Sequence, residues 1–242
     1  MSGDHTPESV WLRPARTPRA ARGQAFSRED LASTAIAVAD QDGLDDVSMR
    51  RVARELGITA MSLYWYVDTK EQLVELMVDR VFAEQDAPVG DTWRALLRSI
   101  GTGTLECYRA HPWFPHALGR PGTLPGPGQL GHWDEHVRAL TDPGLAPPLA
   151  PERVTLAVGT VKNFVLGYAL NPAHGVLTPY ARYPDADRYL RDMVVSNGLD
   201  GIRSMAGLRE QLIADRFDDG LDVVLDGLQA RVLGDDAKGG AA

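Results

Sequence analysis

The sequence contains one cysteine, Cys107, in 242 residues. A lone cysteine excludes an internal disulfide framework and any zinc site built from several cysteines. No apolar run approaches the roughly 20 residues that a membrane-spanning helix needs, and the N-terminus lacks the apolar segment of a signal peptide. We therefore expect a soluble, cytoplasmic protein with no membrane association.

The chain also lacks an overall positive charge, since its formal net charge is −8. Basic residues are nevertheless concentrated in two stretches. Residues 1–25 hold four arginines against two acidic residues, and residues 48–70 hold three arginines and a lysine against two acidic residues. Because a nucleic acid responds to the face presented to it rather than to the net charge, these patches are compatible with DNA binding.

Alternating strand patterns are missing as well, and helical periodicity runs through most of the chain. An apolar content of 44 % is ordinary for a globular protein. The length fits one small domain plus one larger domain. The sequence therefore predicts an all-α protein of two domains.

Four helices with short connections follow an arm over residues 1–25, which we expect to be flexible and basic. The first helix has Ser27 as its N-cap, Asp30 three residues later and Gly43 as its stop signal. The next two are predicted at about 48–56 and 59–67, and a fourth begins after Asp68 as its cap. The later helices include one packed through the stripe Leu130, Trp133, Val137 and Leu140, and two long ones near 153–170 and 208–233. The Gly- and Pro-rich stretches 119–131 and 142–152 are predicted loops.

Residues 48–67 form a helix-turn-helix candidate, in which two short helices are joined by LGIT. The second helix would lie in the major groove, and its first residues would meet base edges. Three aromatics follow in a row, and they cannot all face one core because successive helical residues point about 100° apart. The predicted base contacts are Thr59, Ala60, Met61 and Ser62, and the predicted phosphate contacts are Tyr64, Tyr66 and Lys70. Trp65 is predicted to pack between the reading helix and its neighbours.

The stretch GLDDVSMRRVARELGITAMSLYWYVDTKEQLVELM resembles the DNA-binding domain of the TetR family of bacterial one-component repressors. The segment LYWYV with the following lysine and leucine is most similar to the tetracycline-repressor branch, and RFDDGLDVVLDGL is similar to that branch's last dimerisation helix. The resemblance implies an all-α homodimer with an N-terminal three-helix helix-turn-helix domain at 26–82 and a larger C-terminal ligand-binding and dimerisation domain at 83–234, before a disordered tail at 235–242. Carried over by position, the DNA-contacting residues are Ser48, Arg50, Ala60, Met61, Ser62, Tyr64, Tyr66 and Lys70.

The reading positions depart from those of the tetracycline repressors, which usually have a polar amide at residue 60 and a proline at residue 61. Ala60 and Met61 can offer only apolar contact, most naturally to a thymine methyl group. We therefore expect a different operator, with more of the specificity left to half-site spacing and DNA shape. Arginines of the arm could reach the minor groove.

An enzyme is the competing interpretation. Residues 132–136, HWDEH, match a zinc-peptidase pattern in which His132 and His136 would bind a metal beside a glutamate base. Such a site also needs a third ligand, and the sequence identifies no later carboxylate for that role. We expect that the protein is not an enzyme and holds no metal or cofactor. The alternatives are an adventitious or regulatory metal site at the two histidines and a metal-dependent hydrolase.

Candidate effector-binding residues fall in two regions. The first is YRAHPWFPHALGRP, where aromatic and imidazole side chains cluster between prolines, and the second is the long apolar helix near 153–170. An aromatic wall with a few polar groups is typical of small-molecule pockets, although plain core packing explains the same residues. The candidates are His111, Trp113, Phe114, His116, Asn163, Phe164 and Tyr168.

The whole sequence is interpreted as a ligand-responsive, sequence-specific DNA-binding transcriptional regulator, a repressor released from its operator by a small molecule. Its expected partners are double-stranded operator DNA, an effector of unidentified chemistry and a second copy of the chain. Bound ligand would move the helix near 71–83 and spoil the spacing of the two reading helices. A protein-interaction module that has lost DNA binding is a third possibility, which salt-sensitive duplex binding would separate from the first.

Overall fold

The computed structural model describes residues 9–12, 20–21, 24–119, 124–145, 148–171, 185–203 and 216–233. Helices make up nearly all the regular structure of these residues, which confirms the all-α prediction. The exception is a pair of two-residue antiparallel strands, β1 (Ala20–Ala21) and β2 (Gln24–Ala25). None of the described helices is both long enough and apolar enough to cross a membrane.

The helices fall into two compact units, residues 1–89 with 110–148 (unit 1) and residues 90–109 with 149–242 (unit 2). Unit 1 holds α1 to α4, α6 and α7, so packing groups α6 and α7 with the N-terminal helices. Unit 2 holds α5 and α8 to α11. In chain order the helices are α1 (Arg28–Asp42), α2 (Met49–Glu55), α3 (Ala60–Leu63), α4 (Lys70–Ala83), α5 (Trp93–Ala110), α6 (Phe114–Leu118), α7 (Pro127–Thr141), α8 (Pro151–Leu170), α9 (Ala186–Ser196), α10 (Asp200–Arg203) and α11 (Phe217–Leu228), with 3-10 turns at Val10–Leu12 and Leu44–Asp46 and a π-helical turn at Gln229–Leu233.

Helix α1 begins and ends at the residues predicted from the sequence. Ser27 Oγ accepts a hydrogen bond from the Asp30 amide at 3.1 Å, and Asp30 Oδ2 accepts one from the Ser27 amide at 2.8 Å. This reciprocal capping box satisfies two amides that the helix itself leaves without acceptors. At the other end Gly43 has φ 94°, a conformation that L side chains rarely adopt.

Helix α4 begins one residue later than predicted. The N-cap is Thr69, whose side chain accepts a hydrogen bond from the Gln72 amide at 3.2 Å. The prediction that Asp68 caps this helix is wrong, since the Asp68 amide donates to Gln72 Oε1 at 2.8 Å instead. Leu73 and Met77 on the inner face of α4 are fully buried.

Residues 9–12 differ from the flexible arm that the sequence predicts for 1–25. Val10–Leu12 forms a 3-10 turn, and Val10 and Ser9 are 0 % and 5 % exposed. The turn packs against α4, where a buried carboxylate accepts hydrogen bonds from this segment. The arginines of the predicted arm and the predicted tail at 235–242 lie outside the described residues.

Helix α7 turns a different face to the core from the one predicted. Of the predicted stripe only Leu140 is buried, while Leu130, Trp133 and Val137 are 50 %, 43 % and 38 % exposed. Helix α7 also begins at Pro127, inside the stretch predicted to be a loop. Proline at the first helical position costs no hydrogen bond, so the Gly/Pro-rich sequence could start a helix here.

The buried face of α7 carries its two histidines. His132 and His136 are 5 % and 4 % exposed, and their ring centroids lie 4.2 Å apart. The His132 ring lies 5.4 Å from that of Phe82 on α4. The histidine face of α7 therefore packs toward an aromatic ring of the neighbouring helix, which the aliphatic periodicity did not indicate.

Unit 2 is built around α5, α8 and α11. Leu221 and Leu225 of α11 are fully buried. A Cβ at Gly101 of α5 would lie 3.1 Å from Leu221 and 3.2 Å from Val161 of α8, so the three helices pack closely at this glycine. Ion pairs from Arg94 and Arg98 of α5 to Asp222 of α11 lie beside this contact.

Candidate nucleic-acid interface

The turn between α2 and α3 is fixed by backbone geometry. Gly57 has φ 68°, and its amide donates to the Arg54 carbonyl at 3.1 Å while the Ile58 amide donates to the Ala53 carbonyl at 2.9 Å. These two bonds form a Schellman motif, which ends a helix with a residue in the left-handed region. The glycine and the two bonds therefore set the angle at which α3 leaves α2.

Helix α3 is one turn long and is fixed at both ends. Thr59 Oγ1 accepts a hydrogen bond from the Ser62 amide at 3.2 Å and lies 2.9 Å from the Ser62 hydroxyl. Leu63 and Val67 are fully buried. Helical backbone bonds continue past α3 up to the Val67 amide, which covers the predicted span of 59–67.

The exposed side of α3 carries the residues predicted to meet base edges. Met61 is 79 % exposed, Thr59 is exposed, and Ala60 and Ser62 are half-buried. A methionine exposed to this degree has no packing role within its own chain. Of the four predicted residues, Thr59 and Met61 are therefore the most accessible to a partner.

The three consecutive aromatics divide between surface and core. Tyr64 and Trp65 are 44 % and 37 % exposed, whereas Tyr66 is 6 % exposed. The predicted phosphate contact therefore suits Tyr64 but conflicts with the burial of Tyr66. Trp65 is only partly buried, and its packing between the reading helix and its neighbours stays a prediction.

The start of α2 carries two further residues that the sequence predicts to contact DNA. Ser48 is exposed and caps α2, accepting a hydrogen bond from the Arg51 amide at 3.2 Å. Arg50 is exposed, and within the described part of the chain no ion pair engages it. Arg51, in contrast, bonds Glu55 at 2.7 Å and Asp42 at 2.9 Å, and the hydrogen bond from Arg51 is the main cause of the lowered pKa of Glu55. Arg50 is the cation of this helix best placed to meet a phosphate.

Lys70 has an intramolecular task that the sequence did not indicate. Its Nζ donates to the carbonyl oxygens of Leu44 at 3.0 Å and Asp45 at 3.2 Å. The ammonium group thus ties the first residue of α4 to the 3-10 turn that precedes α2. This contact stabilises the packing of α4 against the turn that precedes α2, whereas the sequence predicted that Lys70 contacts a phosphate.

Two family profiles match the chain. The profile described as "Bacterial regulatory proteins, tetR family" matches residues 31–77, and "Tetracyclin repressor-like, C-terminal domain" matches residues 87–232. The chain belongs to the TetR family. The first match contains α2, α3 and the turn between them, so this TetR-family protein is a DNA-binding transcriptional regulator. The boundary predicted between residues 82 and 83 falls in the interval between the two matches.

Individual TetR-family relatives extend the likeness over most of the chain. The HTH-type transcriptional repressor DrrR1 of Streptomyces coeruleorubidus is 32 % identical over 249 residues, covering 96 % of this chain and 88 % of DrrR1. Streptomyces coelicolor ActR in complex with actinorhodin shares the fold with a TM-score of 0.68 and 23 % identity, over 85 % of this chain and 96 % of ActR. A variant of TetR from Acinetobacter baumannii in complex with minocycline shares it with a TM-score of 0.56 and 19 % identity, over 85 % and 97 % of the two chains.

The candidate effector residues of this TetR-family chain fall in both units. In unit 1, Trp113 and Phe114 are buried, and His111 Nδ1 and Trp113 Nε1 lie 2.8 Å and 2.7 Å from the same oxygen, Oδ1 of Asp40 on α1. His116 is exposed. His111 and Trp113 therefore tie the start of α6 to the last turn of α1, a contact the sequence did not reveal because Asp40 lies 71 residues from His111.

In unit 2 the candidates on α8 belong to an aromatic cluster. The ring centroids of Phe164 and Tyr168 lie 5.7 Å and 5.2 Å from that of Phe217 on α11. A Cβ at Gly220 would lie 2.7 Å from the Phe164 ring, so a residue without a side chain is needed there. Asn163 is exposed on the outer side of α8.

The hydrolase alternative needs a third metal ligand beside His132 and His136. Within the described residues, no group of three or more histidine, cysteine, aspartate or glutamate side chains is arranged to hold a metal ion. The two family matches point to a regulator rather than to an enzyme.

Proposed function

We propose that this TetR-family regulator reads its operator through Thr59, Ala60, Met61 and Ser62 and is released from it by a small polycyclic aromatic molecule. The assignment of the reading residues rests on Met61, whose side chain is 79 % exposed on a helix whose Leu63 is fully buried. Ser48 and Arg50 at the start of α2 and Tyr64 after α3 are exposed and have the donors that phosphate oxygens accept. Tyr66 is left out of the proposal because it is buried.

The chemistry of the reading surface favours apolar base contacts. Met61 and Ala60 have no hydrogen-bonding side chain, so a thymine methyl group is the base feature they fit best. The hydroxyl groups of Thr59 and Ser62 can bond base edges or water. Tyr64 has a donor on a stiff side chain, and Arg50 adds a positive charge.

The decisive experiment separates reading from phosphate contact. Met61→Ala should change the order of affinities for operator variants of different sequence. Arg50→Ala should weaken binding to all duplexes and lower the slope of log Kd against log salt concentration by about one, the contribution of one phosphate contact. Met193→Ala, at a methionine 41 % exposed on α9, is the matched control and should leave binding unchanged. Unchanged sequence ranking in Met61→Ala would refute the assignment of the reading surface.

The effector proposal rests on the relatives and on the ring clusters of this chain. ActR was solved with actinorhodin and the Acinetobacter TetR variant with minocycline, and both ligands are fused-ring aromatics. The described aromatics of unit 1 form a continuous series of ring contacts through Trp113, Phe114, Phe82 and His132 at 5.2–5.8 Å. Such a series can stack on a flat ligand, and the imidazoles can bond its oxygens.

Release of labelled operator tests the effector proposal. Actinorhodin and minocycline are the probes, and one of them should lower operator affinity by at least about fivefold. Because coupling is reciprocal, operator DNA must weaken binding of that probe by the same factor. Retention of full operator affinity at saturation with both probes would refute the fused-ring class.

A homodimer completes the proposal. Apolar side chains are exposed on α8 and α11, including Leu156 at 54 % and Val223 at 72 %. We propose that these faces pack against their counterparts in a second copy, as an isologous interface requires. Val223→Asp should convert the dimer to a monomer in light scattering, while Val195→Asp, 65 % exposed on α9, should not. A monomeric wild type at micromolar concentration would contradict the dimer.

A further inference from the structure

Helix α4 contains two carboxylates one turn apart that are almost fully buried. Glu75 and Asp79 are 6 % and 9 % exposed. A buried carboxylate is costly unless hydrogen bonds compensate it, and both of these receive backbone donors. Each of them holds a different segment of unit 1 against α4.

Glu75 holds the N-terminal segment. Its Oε2 accepts hydrogen bonds from Ser9 Oγ at 2.7 Å and from the Val10 amide at 2.9 Å. Val10 is fully buried, so an apolar contact and two hydrogen bonds to a carboxylate hold this turn against α4. The turn and Glu75 are more than sixty residues apart in the sequence. We refer to residues 9–12 as the clasp.

Asp79 holds the first turn of α7. Its two oxygens accept from the Gly128 amide at 3.1 Å and from the Gln129 amide at 2.8 Å. A carboxylate in this position satisfies helix amides that have no acceptor within the helix and complements the positive end of the helix dipole. Asp79 therefore sets where α7 begins on α4.

The clasp and the start of α7 meet at Gly126. A Cβ at Gly126 would lie 2.4 Å from both Trp11 Cζ2 and Asp79 Oδ1. A Cβ at Gly128 would lie 2.5 Å from the Asp79 carbonyl oxygen. The junction of clasp, α4 and α7 is thus packed so closely that it has no space for side chains at either glycine.

We propose that Glu75 and Asp79 are positioning residues of the regulator, and that the clasp locks α7 onto α4 in the arrangement that binds operator DNA. The proposal rests on the proposed function and deepens it. Helix α4 follows the reading helix directly in sequence, and its Phe82 touches both His132 of α7 and Phe114 of α6. A shift of α7 along α4 must break the Asp79 bonds, and the clasp opposes that shift by packing Trp11 against the same junction.

Glu75→Ala, Glu75→Gln and deletion of residues 2–12 test the proposal. Glu75→Ala and the deletion should each weaken operator binding about tenfold, and the combination should be no weaker than either alone. Glu75→Gln keeps an acceptor oxygen and should recover most of the affinity. Glu84→Ala is the control, because Glu84 is a half-exposed residue that ends the same helix in a surface ion pair with Arg80.

Hydrogen exchange distinguishes a positioning role from general destabilisation. In Glu75→Ala the amides of Gly128 and Gln129 should exchange about tenfold faster, while those of Leu221 and Leu225 in α11 should keep wild-type rates. Equal acceleration throughout the chain, or wild-type affinity and exchange in Glu75→Ala, would overturn the proposal. If Glu75→Ala does not fold, Ser9→Ala serves instead, because it removes one of the two hydrogen bonds to Glu75. The Gly128 and Gln129 amides should then exchange faster than in wild type, by a smaller factor.

The order of measurement keeps the two proposals apart. Wild-type protein is first tested on operator DNA. Failure there refutes the proposed function, and the exchange of Gly128 and Gln129 alone then decides whether the clasp locks α7. Binding by wild type together with unchanged binding by Glu75→Ala refutes the clasp and leaves the proposed function standing.

Discussion

Replacing Lys162 by methionine should stabilise the protein at neutral pH. Lys162 lies on α8, and burial is the main cause that lowers its pKa from 10.5 to about 8, while the nearby Cys107 acts in the opposite direction. A depression from 10.5 to about 8 corresponds to about 3 kcal/mol at 1.36 kcal/mol per pKa unit. Because the side chain is only half-buried, solvent screening reduces the expected gain to roughly 1–3 kcal/mol.

The sign of the pH dependence follows from proton binding. Between about pH 8 and 10.5 the unfolded chain binds a proton at this lysine that the folded chain has released. The free energy of unfolding of wild type should therefore rise through this window relative to that of Lys162→Met, and the difference should be largest below pH 8. Urea melts of both proteins at one concentration, from pH 7 to 10.5, give the difference directly. A less stable Lys162→Met, or a constant difference across the window, would refute the reasoning.

Three further predictions concern contacts in unit 1. Lys70→Met removes bonds to the Leu44 and Asp45 carbonyls, so it should lower the free energy of unfolding by about 1 kcal/mol. It should also weaken binding to every operator without changing the slope of log Kd against log salt concentration. A slope lower by about one would show a direct phosphate contact instead. Gly57→Ala meets no atom within 4 Å but must hold φ 68°, so urea melts should show a loss of about 1–2 kcal/mol, and an unaltered melt would argue against strain at the turn. Asp40→Ala deprives the buried Trp113 Nε1 of its acceptor and should cost about 1–3 kcal/mol, with a shift in tryptophan emission; wild-type stability would contradict that role.

Features that depend on neighbouring residues could be predicted from the sequence. The capping box of α1 needs only Ser27 and Asp30, three residues apart, and the end of α2 needs only Gly57. The turn of the helix-turn-helix followed from the same kind of local pattern, because caps and a turn glycine define where α2 ends and α3 begins. Local hydrogen bonds determine the ends of these elements.

Features that depend on distant partners could not be predicted. The periodicity of α7 allowed an aliphatic stripe, and the ring of Phe82 on another helix selected the histidine face instead. Lys70 matched a phosphate-contacting position, but its ammonium group bonds carbonyl groups 25 and 26 residues away. The clasp lies in a stretch whose proline and arginine content indicated only a flexible arm.

The division of labour within α3 has a consequence for how such a protein can acquire new targets. Leu63, Val67 and the Thr59 cap hold the helix, while Met61 contributes almost nothing to the core. Under the proposed function, a substitution at residue 61 alters which operator is recognised with little effect on the stability of the domain, because the side chain is 79 % exposed. A designer who wished to retarget the protein would then vary this position first.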